Sequence, residues 1–217
     1  MKLPLLILLL VTTLSNHTFR TQCAVEVNAP VEMSDKVIDR LIYDFQYDFE
    51  HLFKWAFLNL GRQNNESRDA LLIESKNIIY EPEYNFGSIT VDVIIPKLIT
   101  LHDINIQGTI EDYRAGINYS GKLKTDSLLI EQIPAWSRHI SIRANPSSFI
   151  FEQAFGNLYV IPTDATHSVY IMDINFCFEW YLRLFITRRI YSNTIQWRVE
   201  NYMNNLKHAA ENPEIME

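Results

Sequence analysis

The stretch Ser88-Ile89-Thr90-Val91-Asp92-Val93-Ile94-Ile95 decides the fold class. Apolar side chains fall at every second position, Ile89, Val91, Val93 and Ile95, which is the period of a strand with one buried face. The period recurs downstream. Ile104 and Ile106, then Ala115, Ile117 and Tyr119, then Ile140 and Ile142, and finally Val169 and Ile171 each alternate with neighbours that are mostly polar. Turn signals separate these runs at Asn85-Phe86-Gly87, Gly108, Gly121, Asn145-Pro146-Ser147, Gly156-Asn157 and Pro162-Thr163-Asp164. The segment from about residue 78 to 175 therefore reads as an antiparallel meander with one apolar face.

Helical periods flank the meander. Upstream, Ser34 is placed as an N-cap with Asp35 in the first turn, where a negative charge suits the helix dipole. Ile38, Leu41, Ile42, Phe45, Phe49, Leu52, Phe53 and Ala56 form the stripe, and Gly61 closes it. That is a helix of about 26 residues, roughly 40 Å long. Downstream, Phe178, Tyr181, Leu182, Phe185, Ile186, Ile190, Ile195, Val199, Tyr202, Met203 and Leu206 predict a second helix of about 30 residues. A one-faced sheet with a long helix at each end buries its apolar face best by curling around them. The expected fold class is thus α+β, a highly curved antiparallel sheet wrapped around long N- and C-terminal helices. No linker, repeat or low-complexity tract divides it, so residues 24–217 read as one domain. A helix-grip lipid-binding fold also ends in a long helix. It starts with a strand, however, and no strand pattern is evident before Ser34.

The 217-residue chain carries 19 basic and 26 acidic residues, a formal net charge of −7. That excess argues against a phosphate-binding nucleic-acid surface and against docking on anionic membranes, though not against handling neutral lipids. Met1-Lys2 followed by the apolar run Leu3 to Leu14 matches a secretory signal and is too short to span a bilayer. Cleavage after Ser15 or after Cys23 places a small residue at −3, and residues 1–23 are assigned to the signal peptide. No integral membrane span is expected, and the product should be secreted and extracellular. Cys23 and Cys177 can pair only if the earlier cleavage is used; otherwise Cys177 is a lone core thiol. Asn65-Glu66-Ser67 and Asn118-Tyr119-Ser120 are glycosylation sequons, the first in a polar loop and the second in strand-like sequence.

The string Leu101-His102-Asp103-Ile104-Asn105-Ile106-Gln107-Gly108, with Tyr113-Arg114-Ala115-Gly116 after it, resembles the central strand-and-turn segment of secreted arthropod proteins. These are the group 7 mite allergens and, more distantly, the juvenile-hormone-binding and takeout proteins of the tubular lipid-binding superfamily. That superfamily also holds bactericidal/permeability-increasing protein. The element order over about residues 33 to 208 is similar too. The hormone-binding branch has a cysteine pair near its mature N-terminus where this chain has at most Cys23, which leaves the allergen-like branch as the closer match. The resemblance implies a tubular, non-catalytic lipid binder.

Motifs for catalysis are missing from the sequence. There is no Gly-x-Ser-x-Gly, His-Glu-x-x-His, Cys-x-x-Cys or P-loop string, and the six histidines show no metal-ligand spacing. No enzyme activity, cofactor or metal site is expected. Arg188-Arg189 suits either an anionic head group or a solvent-facing break in the helical stripe. The function the pattern favours is a secreted binder or carrier of a hydrophobic small molecule or lipid. The alternative is an extracellular protein-interaction module with a filled core and no lipid site. The apolar lining would combine Phe45, Phe49 and Leu52 from the first helix with Ile89, Val93, Ile104 and Ile106 from the sheet. Phe178, Leu182 and Phe185 would complete it from the last helix. Aromatic residues on more than one face of the first helix also suit a homodimer surface. Peptide mapping of exported protein after glycosidase treatment should show an Asn-to-Asp mass change at Asn65; an unmodified Asn65 contradicts its placement in a surface loop.

Overall fold

A strand comes before the first helix. In the computed structural model, which describes residues 18–47, 72–81, 83, 86–95, 99–114, 119–124, 129–133, 137–144, 151–212 and 214, β1 runs Thr18–Val27. A short bend at Asn28–Pro30 leads into α1, Val31–Tyr47. The Pro30 carbonyl accepts from Met33 N (2.9 Å) and Ser34 N (3.3 Å) and opens the helix. Ser34 is therefore not the expected N-cap but a buried residue one turn inside. The continuation of that helix to Gly61, with Phe49 and Leu52, lies outside the described residues, as do Asn65 and Asn118. Phe45 belongs to α1, but its side chain is likewise outside the description.

Strands β2 (Leu72–Glu81), β3 (Phe86–Ile95), β4 (Ile99–Arg114), β7 (Arg138–Ala144), β8 (Phe151–Pro162) and β9 (Ser168–Phe178) join β1 in one antiparallel sheet. Its order is β1-β9-β8-β7-β4-β3-β2, and β5 (Tyr119–Lys124) and β6 (Leu129–Ile133) pair separately as a hairpin. The chain then forms α2 (Trp180–Arg183), α3 (Arg188–Tyr191), a π-helical turn at Ser192–Gln196 and α4 (Trp197–Glu211). No helix among the described residues is long and apolar enough to cross a membrane.

This architecture corrects the expected wrap around two long helices. α1 is 17 residues as described, and the C-terminal helical region is broken, its longest piece being the 15-residue α4. The break has a local cause. Tyr170, Met172, Ile174, Phe176 and Phe178 share the inward phase of β9, so Phe178 ends a strand rather than starting a helix. Thr187 then restarts the helix, its hydroxyl accepting from Ile190 N at 3.2 Å. Three expected turns are also strand interior: Gly108 lies within β4, Gly121 within β5 and Gly156 within β8. The string Leu101 to Gly108 contains a bulge. Asp103 takes φ 54°, and the Asp92 carboxylate accepts from Asp103 N (2.9 Å) and lies 3.1 Å from His102 Nδ1. An aspartate tolerates that left-handed backbone better than most residues.

One face of the sheet carries the core. Odd residues of β1 and β3 and even residues of β7, β8 and β9 point towards the helices. They form two clusters. The first joins Val37, Ile38 and Leu41 of α1 to Val27, Ile110, Ile140, Leu158, Val160, Tyr170 and Met172 of the sheet and to Val199, Met203 and Leu206 of α4. The second joins Ile89, Val91, Val93, Ile104, Ala154 and Phe178 to Leu182, Ile186 and Tyr191.

The boundary expected after Cys23 falls inside β1, whose Arg20 grips Asp173 of β9 through Nε–Oδ1 (2.9 Å) and Nη2–Oδ2 (2.6 Å). Cleavage after Ser15 would leave this strand whole. Cys23 and Cys177 are both free. Cys23 pairs in register with Met172 and Cys177 with Thr18, on opposite faces and five positions apart. At about 3.4 Å per residue that is on the order of 17 Å, far beyond disulfide reach.

A charged clamp fastens α1 across the sheet. Arg138 of β7 points inward and is 2% exposed. Its Nε and Nη2 donate to Asp112 of β4 at 2.9 and 2.8 Å, Nη2 lies 2.7 Å from Asp39 of α1, and Nη1 donates to the Asp35 carbonyl at 3.2 Å. Asp112→Ala leaves the guanidinium buried with half its carboxylate partners, and should cost about 3 kcal/mol in denaturant melts. The double change Arg138→Met with Asp112→Leu should recover most of that loss. If the single change is neutral, the clamp does not hold the helix.

Candidate functional site

The core face of the sheet is stepped, not uniformly filled. Cross-strand registers arrange the inward residues in rows. One row reads Asp112, Ile140, Leu158, Met172, Cys23 across β4, β7, β8, β9 and β1. The next reads Ile110, Ile142, Gly156, Ile174, Thr21, and the one after it Gly108, Ala144, Ala154, Phe176, Phe19. Glycine and alanine thus occupy four adjacent central positions, where bulky side chains fill the row before.

The consequence shows at Ile142. It shares the inward phase of Ile140, yet it is 41% exposed while Ile140 is 1% exposed. Neither core cluster covers it. Beside it, among the described residues, a Cβ added at Gly156 would meet only Ile174 Cγ1, at 3.4 Å. Among the described residues, Ile142 and Gly156 thus mark a notch in the core face, between residues of the two clusters. Gly108 serves a different purpose. A Cβ there would press to 2.9 Å on the Arg143 carbonyl of β7, so this glycine permits close strand pairing.

Two strands from Gly156 along the same row is a polar pair: Thr21 Oγ1 and Tyr191 Oη, both buried, lie 2.7 Å apart, and Phe19 stacks on Tyr191 with ring centroids 4.7 Å apart. Burial raises the Tyr191 phenol, partly offset by the Thr21 hydrogen bond. Each hydroxyl can both donate and accept, so the pair keeps one proton that neither partner consumes. Tyr170 and Ser34 on the first cluster's side are buried as well, and burial pushes the Tyr170 phenol up to about 12.

Of the residues proposed from sequence as lining, Ile89, Val93, Ile104, Ile106, Phe178 and Leu182 meet in the second cluster. They make a packed wall more than an open surface. Phe185 is not with them; it points outward. Ile142 and Gly156 are absent from the lining that the sequence suggests. The available signal is a glycine within reach of the Ile140/Ile142 alternation, which reads as a turn instead of a strand position.

The described histidines stand away from this notch. His139 bonds Asn157 (2.9 Å) and stacks on Tyr159 on the outer face, His102 binds Asp92, His167 closes the β8–β9 turn with Asp164, and His208 lies at the end of α4. No group of three or more His, Cys, Asp or Glu able to hold a metal ion occurs among the described residues.

No family model and no curated protein matches the chain. Solved structures similar to it include the ZhuI aromatase/cyclase from a Streptomyces species, 11% identical over 91% of this chain and 96% of that chain, TM-score 0.45. A truncated norcoclaurine synthase from Thalictrum flavum is 10% identical over 88% and 92%, TM-score 0.44. A START superfamily protein from Mycobacterium smegmatis is 9% identical over 91% and 99%, TM-score 0.42. The expected likeness to group 7 mite allergens and the tubular lipid-binding superfamily is corrected by these findings. The chain has instead the leading strand, the antiparallel sheet and the C-terminal helix packed on its core face that mark the helix-grip arrangement.

The two glycines offer a direct check on the notch. Gly108→Ala must part β4 from β7 and should lose about 1–3 kcal/mol, in the range of overpacked cores. Gly156→Ala asks only for a small shift of Ile174 and should change stability by less than about 0.5 kcal/mol. Equal losses in thermal melts would mean that Gly156 is not beside open space.

Proposed function

We propose that this chain is a secreted, non-catalytic binder or carrier of a hydrophobic small molecule or lipid. The observation that carries the reading is the notch left at Ile142 and Gly156 among the described residues, on the face of the sheet that elsewhere forms the core. An inward isoleucine left 41% exposed is an apolar surface whose burial by a ligand is favourable at about 25 cal/mol per Å². Concave apolar sites with a few placed polar groups are the usual form of small-molecule pockets. Here Thr21 and Tyr191 would orient a ligand by a hydrogen bond at one wall, and the packed second cluster would give a rigid apolar boundary. The reading of secretion rests on the Leu3–Leu14 run.

Titration with a dansylated undecanoic acid should show saturable binding with a blue-shifted emission. Gly156→Leu, which fills the notch, and Ile142→Glu, which charges its floor, should each weaken binding at least tenfold while the fold is retained. Leu182→Trp should overpack the second cluster and destabilise the protein by about 1–3 kcal/mol, since Leu182 is buried. Wild-type protein that binds no such probe, or variants that bind it unchanged, would favour the filled-core interaction module.

A further inference from the structure

We propose that the turn from Trp180 to Arg189 is a docking surface for a phospholipid bilayer that carries anionic lipid. Leu182 and Ile186, four residues apart, point into the second cluster and are buried. The opposite side of the same turn carries Trp180, Leu184 and Phe185, exposed by 63%, 51% and 37%. Trp180 and Leu184 are spaced i, i+4, as are Tyr181 and Phe185, and the Trp180 and Tyr181 rings meet edge to face at 5.8 Å. The turn is therefore apolar all round, a pattern that calls for a covering phase on its outer side. Single exposed apolar side chains are ordinary; three on one turn are not.

Charge identifies the occupant. In a chain of net charge −7, the ten residues Trp180–Arg189 hold three arginines and no acidic residue. Arg183 is tied to Glu152 (2.6 Å) and to the Phe178 carbonyl (2.6 Å), which anchors the turn to the sheet. Arg188 and Arg189 follow the apolar side chains after a single threonine, Thr187, and are exposed. Tryptophan and tyrosine settle at the headgroup level of a bilayer, leucine and phenylalanine below it, and arginines pair with anionic headgroups. A second copy of the chain suits the face less well. An isologous contact pairs the patch with a copy of itself, and this turn brings three arginines and no carboxylate of its own to such a contact. The net charge of −7, which for the chain as a whole argues against docking on anionic membranes, lies outside this turn and restricts docking to it. The proposal is independent of the ligand notch, and its test uses no added ligand.

Full-length exported protein should co-sediment with vesicles of phosphatidylcholine and phosphatidylglycerol, more strongly than with phosphatidylcholine alone and less strongly at high salt. Leu184→Glu with Phe185→Glu should lower partitioning at least tenfold, and Arg188→Gln with Arg189→Gln should abolish the preference for phosphatidylglycerol. These side chains are exposed, so melting temperatures should match the wild type; Trp180→Ala serves as a second variant if the paired glutamates impair folding. The proposal is overturned if the wild type stays in the supernatant, or if the glutamate and Trp180 variants sediment unchanged. It is equally overturned if the protein forms a concentration-dependent dimer that Leu184→Glu dissolves while vesicles bind neither form.

Discussion

The fold depends on how a guanidinium is kept charged inside an apolar core. Arg138 sits among Ile140, Val160 and Tyr170 on the inward face, where an unpaired charge would be strongly unfavourable. Asp112 from the neighbouring strand and Asp39 with the Asp35 carbonyl from α1 together satisfy it. The requirement sets geometry as well as charge. α1 must lie close enough to β4 and β7 to deliver its carboxylate and carbonyl, which also places Val37, Ile38 and Leu41 against the sheet. Arg114 reaches the same Asp39 at 3.2 Å from the end of β4. This end of the sheet is closed by its charges as much as by apolar packing.

The opposite tendency operates two rows along. There glycine and alanine side chains leave the sheet without bulk, the first cluster ends, and the second begins. α4 fills one side through Val199, Met203 and Leu206, and α2 and α3 fill the other through Leu182, Ile186 and Tyr191. Ile195, in the π-helical turn between them, packs against both clusters. A π turn inserts a residue into the helical repeat, and such an insertion rotates the next stretch of helix about its axis. The break thus lets one run of chain serve two separate clusters and leaves Ile142 between them.

Much of the sheet was legible because alternation is written residue by residue. Ile89, Val91 and Val93 point inward as their spacing requires, and Ile140 does so too. The leading strand was not legible. Phe19, Cys23, Val25 and Val27 do alternate with Arg20, Gln22 and Glu26, but the run follows the signal-like Leu3–Leu14 stretch, and its outer-face Arg20 and Gln22 are held by Asp173, a partner some 150 residues away in sequence. Without that strand, the helix-grip order looked excluded and the tubular alternative looked natural. The C-terminal helix was overextended because inward strand residues such as Phe178 continue smoothly into an apolar helical stripe. The packed wall of the candidate site was readable as inward phase, whereas its open floor was not. An empty position carries no side chain to mark it, and Gly156 looks the same in a turn as in a strand facing a notch.

Isoleucine methyl labelling offers the most direct test of a ligand seated on the core face. With a saturated fatty acid bound, intermolecular nuclear Overhauser effects should connect the acyl chain to the methyls of Ile142 and Ile174, with none to the exposed Ile79 of β2 or Ile99 at the start of β4. Effects at Ile79 or Ile99 without any at Ile142 would place the ligand elsewhere and contradict the account.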